Sequence, residues 1–345
     1  MRAFQFIAAQ EPAELREVQV PEPGPGQVLI KIGGAGACHS DLHILEAAAK
    51  PGPAQGPFTL GHENAGWVEK MGSGATGFAK GDPVIVYGPW GCGLCMNCRV
   101  GRENYCQNPG NIKAGGLGSD GGMASYLLVP STRFLIPLGN LDPRVAAPIT
   151  DAALTSYHAV KRSVHLLGAG STAVVIGTGG LGQMAIQVLR ALSGATTVIA
   201  LDTSVDKLEI AKQMGADEVL LSGDAAITRI KDITRGQGAE LVLDMVGINP
   251  TLNMAAQVAR RLGHLTIVGL GGGALPVNFR SPPNECSVSS PYWGYIPELI
   301  EVVTLAQAGK IKMLVEHFPL EKAAEAYHLL HDGKIKGRAV ITPND

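Results

Sequence analysis

The stretch Ala173–Asp202 limits what this chain can become more than any other. Val174–Ile176 is a short β-branched run of the kind a buried strand uses. Gly177, Gly179 and Gly182 then fill the positions of a G-x-G-x-x-G turn, with Gly180 between them. The first glycine permits a tight turn, the second lets the backbone approach a pyrophosphate, and the third lets the next helix pack close to the strand. Met184, Ile186, Val188, Leu189 and Leu192 give that helix its apolar faces, and its N-terminal N–H groups would point at the phosphates. A second apolar run, Val198–Leu201, ends at Asp202, about 20 residues past Gly182, where a carboxylate can hold an adenosine ribose. With 45 glycines in the chain a glycine triplet alone says little. Strand, glycines, helix, strand and acid in that order predict a dinucleotide site, with NAD as the cofactor because no Arg follows Asp202 to meet a 2′-phosphate.

The chain has 345 residues, which suggests about two domains. Hydrophobic residues make up 46%, too many for a disordered chain. Lys+Arg 28 against Asp+Glu 30 leaves a net charge of −2, with no general attraction to nucleic acid or anionic membrane. No apolar run approaches the ~18 residues of a membrane span, and Met1–Phe6 does not open like a secretory signal. The expected setting is cytoplasmic.

Short strands are predicted over Arg2–Ile7, Glu14–Val20 and Val28–Ile32, so the chain opens as a β-region. Cys38, His39, Ser40, Asp41 and His43 then crowd reactive groups into six positions, and His62 and Glu63 follow. Cys, His and Glu are zinc ligands, although a lone Cys or His is as readily a buried thiol or a bonded imidazole. Cys92, Cys95, Cys98 and Cys106 have a spacing that can wrap one tetrahedral, closed, structural zinc in a lobe near 90–110. A disulfide pair or a redox C-x-x-C would use only some of them. Asp151 stands near the start of a helical region, where a carboxylate is favourable in any case. From about residue 145 strands and helices alternate, which predicts a parallel, doubly wound sheet.

Together, Cys38-His-Ser-Asp, Gly61-His-Glu, the four-cysteine lobe, Gly177-x-Gly-Gly-x-Gly and Gly337-Arg338 resemble the zinc-dependent medium-chain alcohol dehydrogenases. The resemblance spans the whole chain. It is most similar to bacterial secondary-alcohol and aryl-ketone members, where Tyr87-Gly-Pro-Trp-Gly-Cys92 and Gly101-Arg-Glu-Asn-Tyr-Cys106 also occur. It implies an α/β chain with a β-rich GroES-like catalytic domain, residues 1–145 and 287–345, and a Rossmann NAD-binding domain, residues 146–286, with substrate between them. It also implies a catalytic zinc on Cys38, His62 and Asp151, hence two zinc ions per chain. Many relatives have Cys where this chain has Asp151; some microbial ones share the Asp. Glu63 would lie beside the site as a catalytic residue that displaces a ligand transiently, and Asp41 would orient His62 or Cys38 from behind.

The reaction implied is reversible hydride transfer between a primary or secondary alcohol, bulky or aryl, and NAD. Ser40 would take the proton and pass it through a cofactor ribose hydroxyl to His43. Thr155 would support the nicotinamide, Lys207 the adenosine ribose, and Arg338 with His39 the pyrophosphate. The alternative for Lys207 and Arg338 is a solvated surface charge. Trp90, Leu117, Tyr292 and Trp293 are candidate pocket walls or core. Within the superfamily a zinc-free quinone reductase would lack Cys38 and His62, and a non-catalytic binding protein would have lost a ligand or the relay. Polyol and threonine dehydrogenases remain alternatives. The expected partners are a small alcohol, aldehyde or ketone and further copies of the chain, a homotetramer ahead of a dimer.

Overall fold

A computed structural model describes residues 1–46, 56–108, 110 and 113–345; residue 109, in the expected lobe, lies outside them. The chain divides into two compact units, one of Met1–Asp151, Tyr295–Gly309 and Met313–Asp345, the other of Ala152–Gly294 and Lys310–Lys312. The boundaries read from sequence, 145/146 and 286/287, fall earlier than these. The reason at the second boundary is pairing: Ser287–Ser289 adds to Ala259–Ile267 and completes the second unit's sheet.

The first unit is built on a mixed sheet in the order Leu135–Pro137, Pro83–Val86, Glu63–Met71, Val28–Ala37, Arg338–Thr342, Val315–Pro319, with Tyr126–Val129 also paired to Val28–Ala37. Val28–Ala37 is buried almost throughout, hence its unbroken small and apolar sequence. Its neighbours run antiparallel on both sides, with Gly36 opposite Glu63 and Ala37 opposite Ala339. The end of the central strand and the starts of both neighbours therefore meet at one place, where Cys38, Glu63 and Arg338 lie.

The second unit is a six-stranded, all-parallel sheet in the order Glu218–Leu221, Thr197–Asp202, Thr172–Ile176, Ala239–Asp244, Ala259–Ile267, Ser287–Ser289. Val174, Ile176, Ile199, Leu201, Val242 and Leu265 form its buried core with the helices Asp224–Ile233 and Asn249–Val258. The winding reverses direction between Thr172–Ile176 and Ala239–Asp244, and ligands of such sheets bind beyond the strands' carboxyl ends at that point. Among the described residues no helix is long and apolar enough to cross a membrane.

Candidate active site

The strand Val28–Ala37 delivers Cys38, and the helix His39–Glu46 begins at once. Asp41, in its first turn, accepts from the Cys38 backbone N–H at 3.0 Å through Oδ2 and faces His62 Nδ1 at 2.9 Å through Oδ1. A carboxylate only accepts, so Nδ1 carries the hydrogen and the Nε2 lone pair is left for the other side. There Nε2 lies 3.7 Å from Asp151 Oδ2, and Cys38 Sγ lies 3.7 Å from the same oxygen. Asp151 is set by the preceding 3-10 turn Ala147–Thr150, which Thr150 ties to Val86 O at 2.7 Å. Donor atoms of Cys38, His62, Glu63 and Asp151 all lie within 4.8 Å of one another.

Glu63 differs from the other three because Arg338 pairs with it, and Arg338 Nη2 lies 3.6 Å from Asp151 Oδ2. Gly36 permits this, since a Cβ there would overlap the Glu63 carboxylate. Arg338 is only 4% exposed, so it is no solvated surface charge. Its nearest partners are the carboxylates of this cluster.

The charges explain the proton affinities. Burial pushes the Cys38 thiol up, but Arg338 and a hydrogen bond with His62 outweigh burial and leave it lowered. Burial pushes the His62 imidazole down, but Asp41, Asp151 and Cys38 together raise it well above its usual range. With Arg338 cancelling Glu63, one thiolate and one carboxylate remain to balance a divalent ion. This soft, borderline and hard donor set fits zinc with one position to spare.

Cys92, Cys95, Cys98 and Cys106 also converge within 4.8 Å. Their Sγ–Sγ separations include 4.0 Å for Cys92–Cys98, 3.4 Å for Cys95–Cys98 and 4.0 Å for Cys95–Cys106. Zinc–sulfur bonds of about 2.3 Å place tetrahedral sulfurs about 3.8 Å apart, whereas a disulfide needs about 2.05 Å. All six cysteines of the chain are free thiols. Backbone N–H groups of Leu94 and Cys95 reach Cys92 Sγ at 3.5 and 3.4 Å, and they lower that thiol to about 6. Four thiols so arranged fit one closed zinc site.

Ser40 Oγ lies 3.7 Å from Cys38 Sγ, and His43 is exposed on the same helix, as is His39. In the second unit Gly177 has φ +87° and a Cβ there would press on Val246, while a Cβ at Gly182 would overlap Gly177 O. A Cβ at Gly179 meets nothing, so open space lies over the backbone where the helix Gly180–Leu192 starts. That helix has no side-chain cap, which leaves its first N–H groups for an anion. Asp202 ends its strand beside this loop, accepting from Thr178 N at 2.7 Å and Thr178 Oγ1 at 3.0 Å. Lys207 is half-buried one turn into the following helix, and Thr155 is buried in the helix Ala152–Lys161.

Among the expected pocket walls, Trp90 donates Nε1–H to Tyr87 O at 2.8 Å and packs on Phe134, so it belongs to the first unit's core. Trp293 is also buried, Leu117 is half-buried, and Tyr292 is exposed. Tyr327, which no sequence motif pointed to, donates its O–H to Asp41 Oδ2 at 2.9 Å.

Residues 24–140 match the alcohol dehydrogenase GroES-like domain family, and residues 180–308 match the zinc-binding dehydrogenase family. An NAD-dependent alcohol dehydrogenase of Sulfurisphaera tokodaii is 38% identical over 99% of this chain and 100% of that protein. A D-arabinose 1-dehydrogenase (NADP(+)) of Saccharolobus solfataricus is 35% identical over 96% of this chain and 95% of that one. The crystal structure of an alcohol dehydrogenase from Aeropyrum pernix superposes with a TM-score of 0.92 at 34% identity, covering 99% of this chain and 100% of that one. Whole-length likeness of this kind, with both metal clusters and the glycine turn in place, puts this chain in the zinc-dependent medium-chain alcohol dehydrogenase family.

Proposed function

We propose that the chain is an NAD-dependent alcohol dehydrogenase that oxidises primary or secondary alcohols reversibly to aldehydes or ketones. The convergence of Cys38, His62 and Asp151, with Glu63 neutralised by Arg338, carries this reading. Those three residues would hold the catalytic zinc, which when bound supplies a Lewis acid that makes the alcohol more acidic and polarises the carbonyl. NAD supplies the hydride acceptor. Gly177, Gly179, Gly180 and Gly182 keep the turn close to the pyrophosphate, and Asp202 takes the ribose hydroxyls.

The chain's own task in the reaction is the proton. Ser40, beside Cys38, would accept it from the substrate hydroxyl, and exposed His43, reached from Ser40 through a ribose hydroxyl once NAD is bound, would release it to water. Thr155 and Lys207 take the nicotinamide and adenosine sides, and His39 the pyrophosphate. Arg338 serves first by holding Glu63, which keeps a second carboxylate from overloading the site with negative charge.

The substrate we favour is bulky or aryl. The 35% identical D-arabinose 1-dehydrogenase favours a second reading, a polyol or aldose. NAD⁺ reduction measured across primary, secondary, aryl and polyol alcohols and D-arabinose separates the two. A kcat/KM highest for aryl secondary alcohols supports the first, one highest for D-arabinose supports the second, and no turnover with any defeats both. We further propose a cytoplasmic homotetramer, which light scattering on the purified protein tests.

A further inference from the structure

Asp41 is a fully buried carboxylate that serves two residues of the metal cluster at once. Oδ1 faces His62 Nδ1 at 2.9 Å, and Oδ2 takes the Cys38 backbone N–H at 3.0 Å. The Cys38 N–H is a neighbour in sequence and holds the carboxylate at one point only. Its second hold comes from 286 residues away: Tyr327 O–H meets Oδ2 at 2.9 Å. We propose that Tyr327 is a positioning residue of the catalytic metal site, its phenol fixing the Asp41 carboxylate that orients His62 and Cys38. The proposal rests on the reading that Cys38, His62 and Asp151 hold zinc.

Three observations support it. First, the tyrosine is itself rigidly held. It sits on the inner face of the helix Ala323–His331 with Ala326 and Leu330, and its ring stacks on Phe4 at 6.1 Å and 21°. Second, packing alone does not ask for the hydroxyl. Tyr327 is 4% exposed and lies against Phe4 and Met123, where a phenylalanine would fill the same space without burying a polar group. Burying an O–H is costly unless it is bonded, and among the described residues its one bonding contact besides Asp41 is the weak acceptor Met123 Sδ at 3.5 Å. Third, the phenol stays a donor. Burial first, then the Asp41 charge, push Tyr327 well above its usual range.

Without this bond Oδ2 would keep only the Cys38 N–H, and the carboxylate plane would be set by that one bond and by the same His62 Nδ1–H it has to orient. His62 would then lose the fixed acceptor that sets its tautomer and ring plane. Partners of metal-ligating histidines are worth about 10- to 100-fold in metal affinity.

The test is Tyr327→Phe in the full-length protein, read by zinc competition with a chromophoric chelator. Affinity at the Cys38/His62/Asp151 site should fall about 10- to 100-fold, while the four-cysteine zinc is retained as in wild type. Asp41→Asn should weaken the same site, and adding Tyr327→Phe to it should change little more, because the tyrosine acts through Asp41. Phe4→Leu, which loosens the same packing but keeps the donor, should lower the unfolding temperature without altering zinc affinity. Wild-type zinc affinity in Tyr327→Phe, additivity with Asp41→Asn, or an equal affinity loss in Phe4→Leu would each overturn the proposal. If instead Cys38→Ala fails to remove one zinc, the metal reading beneath it fails, whatever Tyr327 does.

Discussion

Ser40 and Asp202 are each proposed for one step, and neither is itself a proposed metal ligand. Ser40 Oγ stands 3.7 Å from Cys38 Sγ, inside the cluster's reach, whereas His43 on the same short helix is exposed. A positioned proton acceptor typically contributes about 10²–10⁴ in rate. Ser40→Ala should therefore cut kcat for alcohol oxidation by about that factor with zinc content unchanged. His43→Gln should be milder, because water can replace an exposed base. Near-wild-type turnover of Ser40→Ala on every alcohol tried would show that the proton leaves by another route. Asp202 is proposed to select the cofactor. Its carboxylate is fixed by Thr178 and by Ser204 N at 3.0 Å, so it cannot swing away from a 2′-phosphate. Losing bonds to a charged group costs about 1.5–3 kcal/mol, hence on the order of 10- to 100-fold in favour of NAD over NADP in kcat/KM. Asp202→Ala should shrink that ratio. A wild-type preference for NADP would mean that Asp202 does not sit on the ribose.

At the scale of elements, the glycine turn separates folding from binding. A Cβ at Gly182 would strike Gly177 O, so Gly182→Ala must shift backbone, and overpacking of this sort costs about 1–3 kcal/mol. Gly179 faces open space, so Gly179→Ala should leave the unfolding temperature nearly unchanged and raise the KM for NAD, the methyl taking room the pyrophosphate needs. Equal thermal losses in both variants would contradict this assignment. This turn was legible in sequence because strand, glycines and helix are contiguous there, and the strands Arg2–Phe6 and Val28–Ala37 form where strands are predicted over Arg2–Ile7 and Val28–Ile32. Two elements were not legible. The helix His39–Glu46 has eight residues and only Leu42 of its apolar side chains is buried, too little for a period to register. Ala259 and Arg260 follow the helix Asn249–Val258 with no Gly or Pro to mark its end, yet they join the strand Ala259–Ile267 because Ala259 pairs with Ala239 across a bulge. Within the site, Cys38, His62 and Asp151 are brought together as the resemblance implied. The ion pair of Arg338 with Glu63 and the bond of Tyr327 to Asp41 span 275 and 286 residues, and no local pattern encodes either.

For the whole molecule the two metal clusters predict two separable losses. The lobe Cys92–Cys106 has little with which to fold alone. Its regular structure is one helix, Met96–Arg99, and a 3-10 turn, Glu103–Tyr105. Leu94, Met96 and Val100 point to solvent, and what it buries is Cys98, Cys106, Glu103 and Asn104. Glu103 is paired with Arg133, which ties the lobe to the 3-10 turn Thr132–Phe134. A segment with no apolar core of its own depends on the metal for its shape, as small zinc modules do. The other cluster sits where three strands of a large buried sheet end, so its scaffold should persist without an ion. Metal analysis of purified protein should therefore give about two zinc per chain. Cys38→Ala should bring this to about one and abolish alcohol oxidation, with the unfolding temperature within a few degrees of wild type. Cys98→Ser should also bring it to about one but lower the unfolding temperature steeply; at roughly 2–4 °C per kcal/mol for a domain of about 150–250 residues, a loss of several kcal/mol is readily seen by calorimetry. A zinc content that Cys38→Ala leaves at two would remove the catalytic metal from this site. A Cys98→Ser variant as stable as wild type would show that the lobe is held by its protein contacts, Glu103 with Arg133 foremost, and not by zinc.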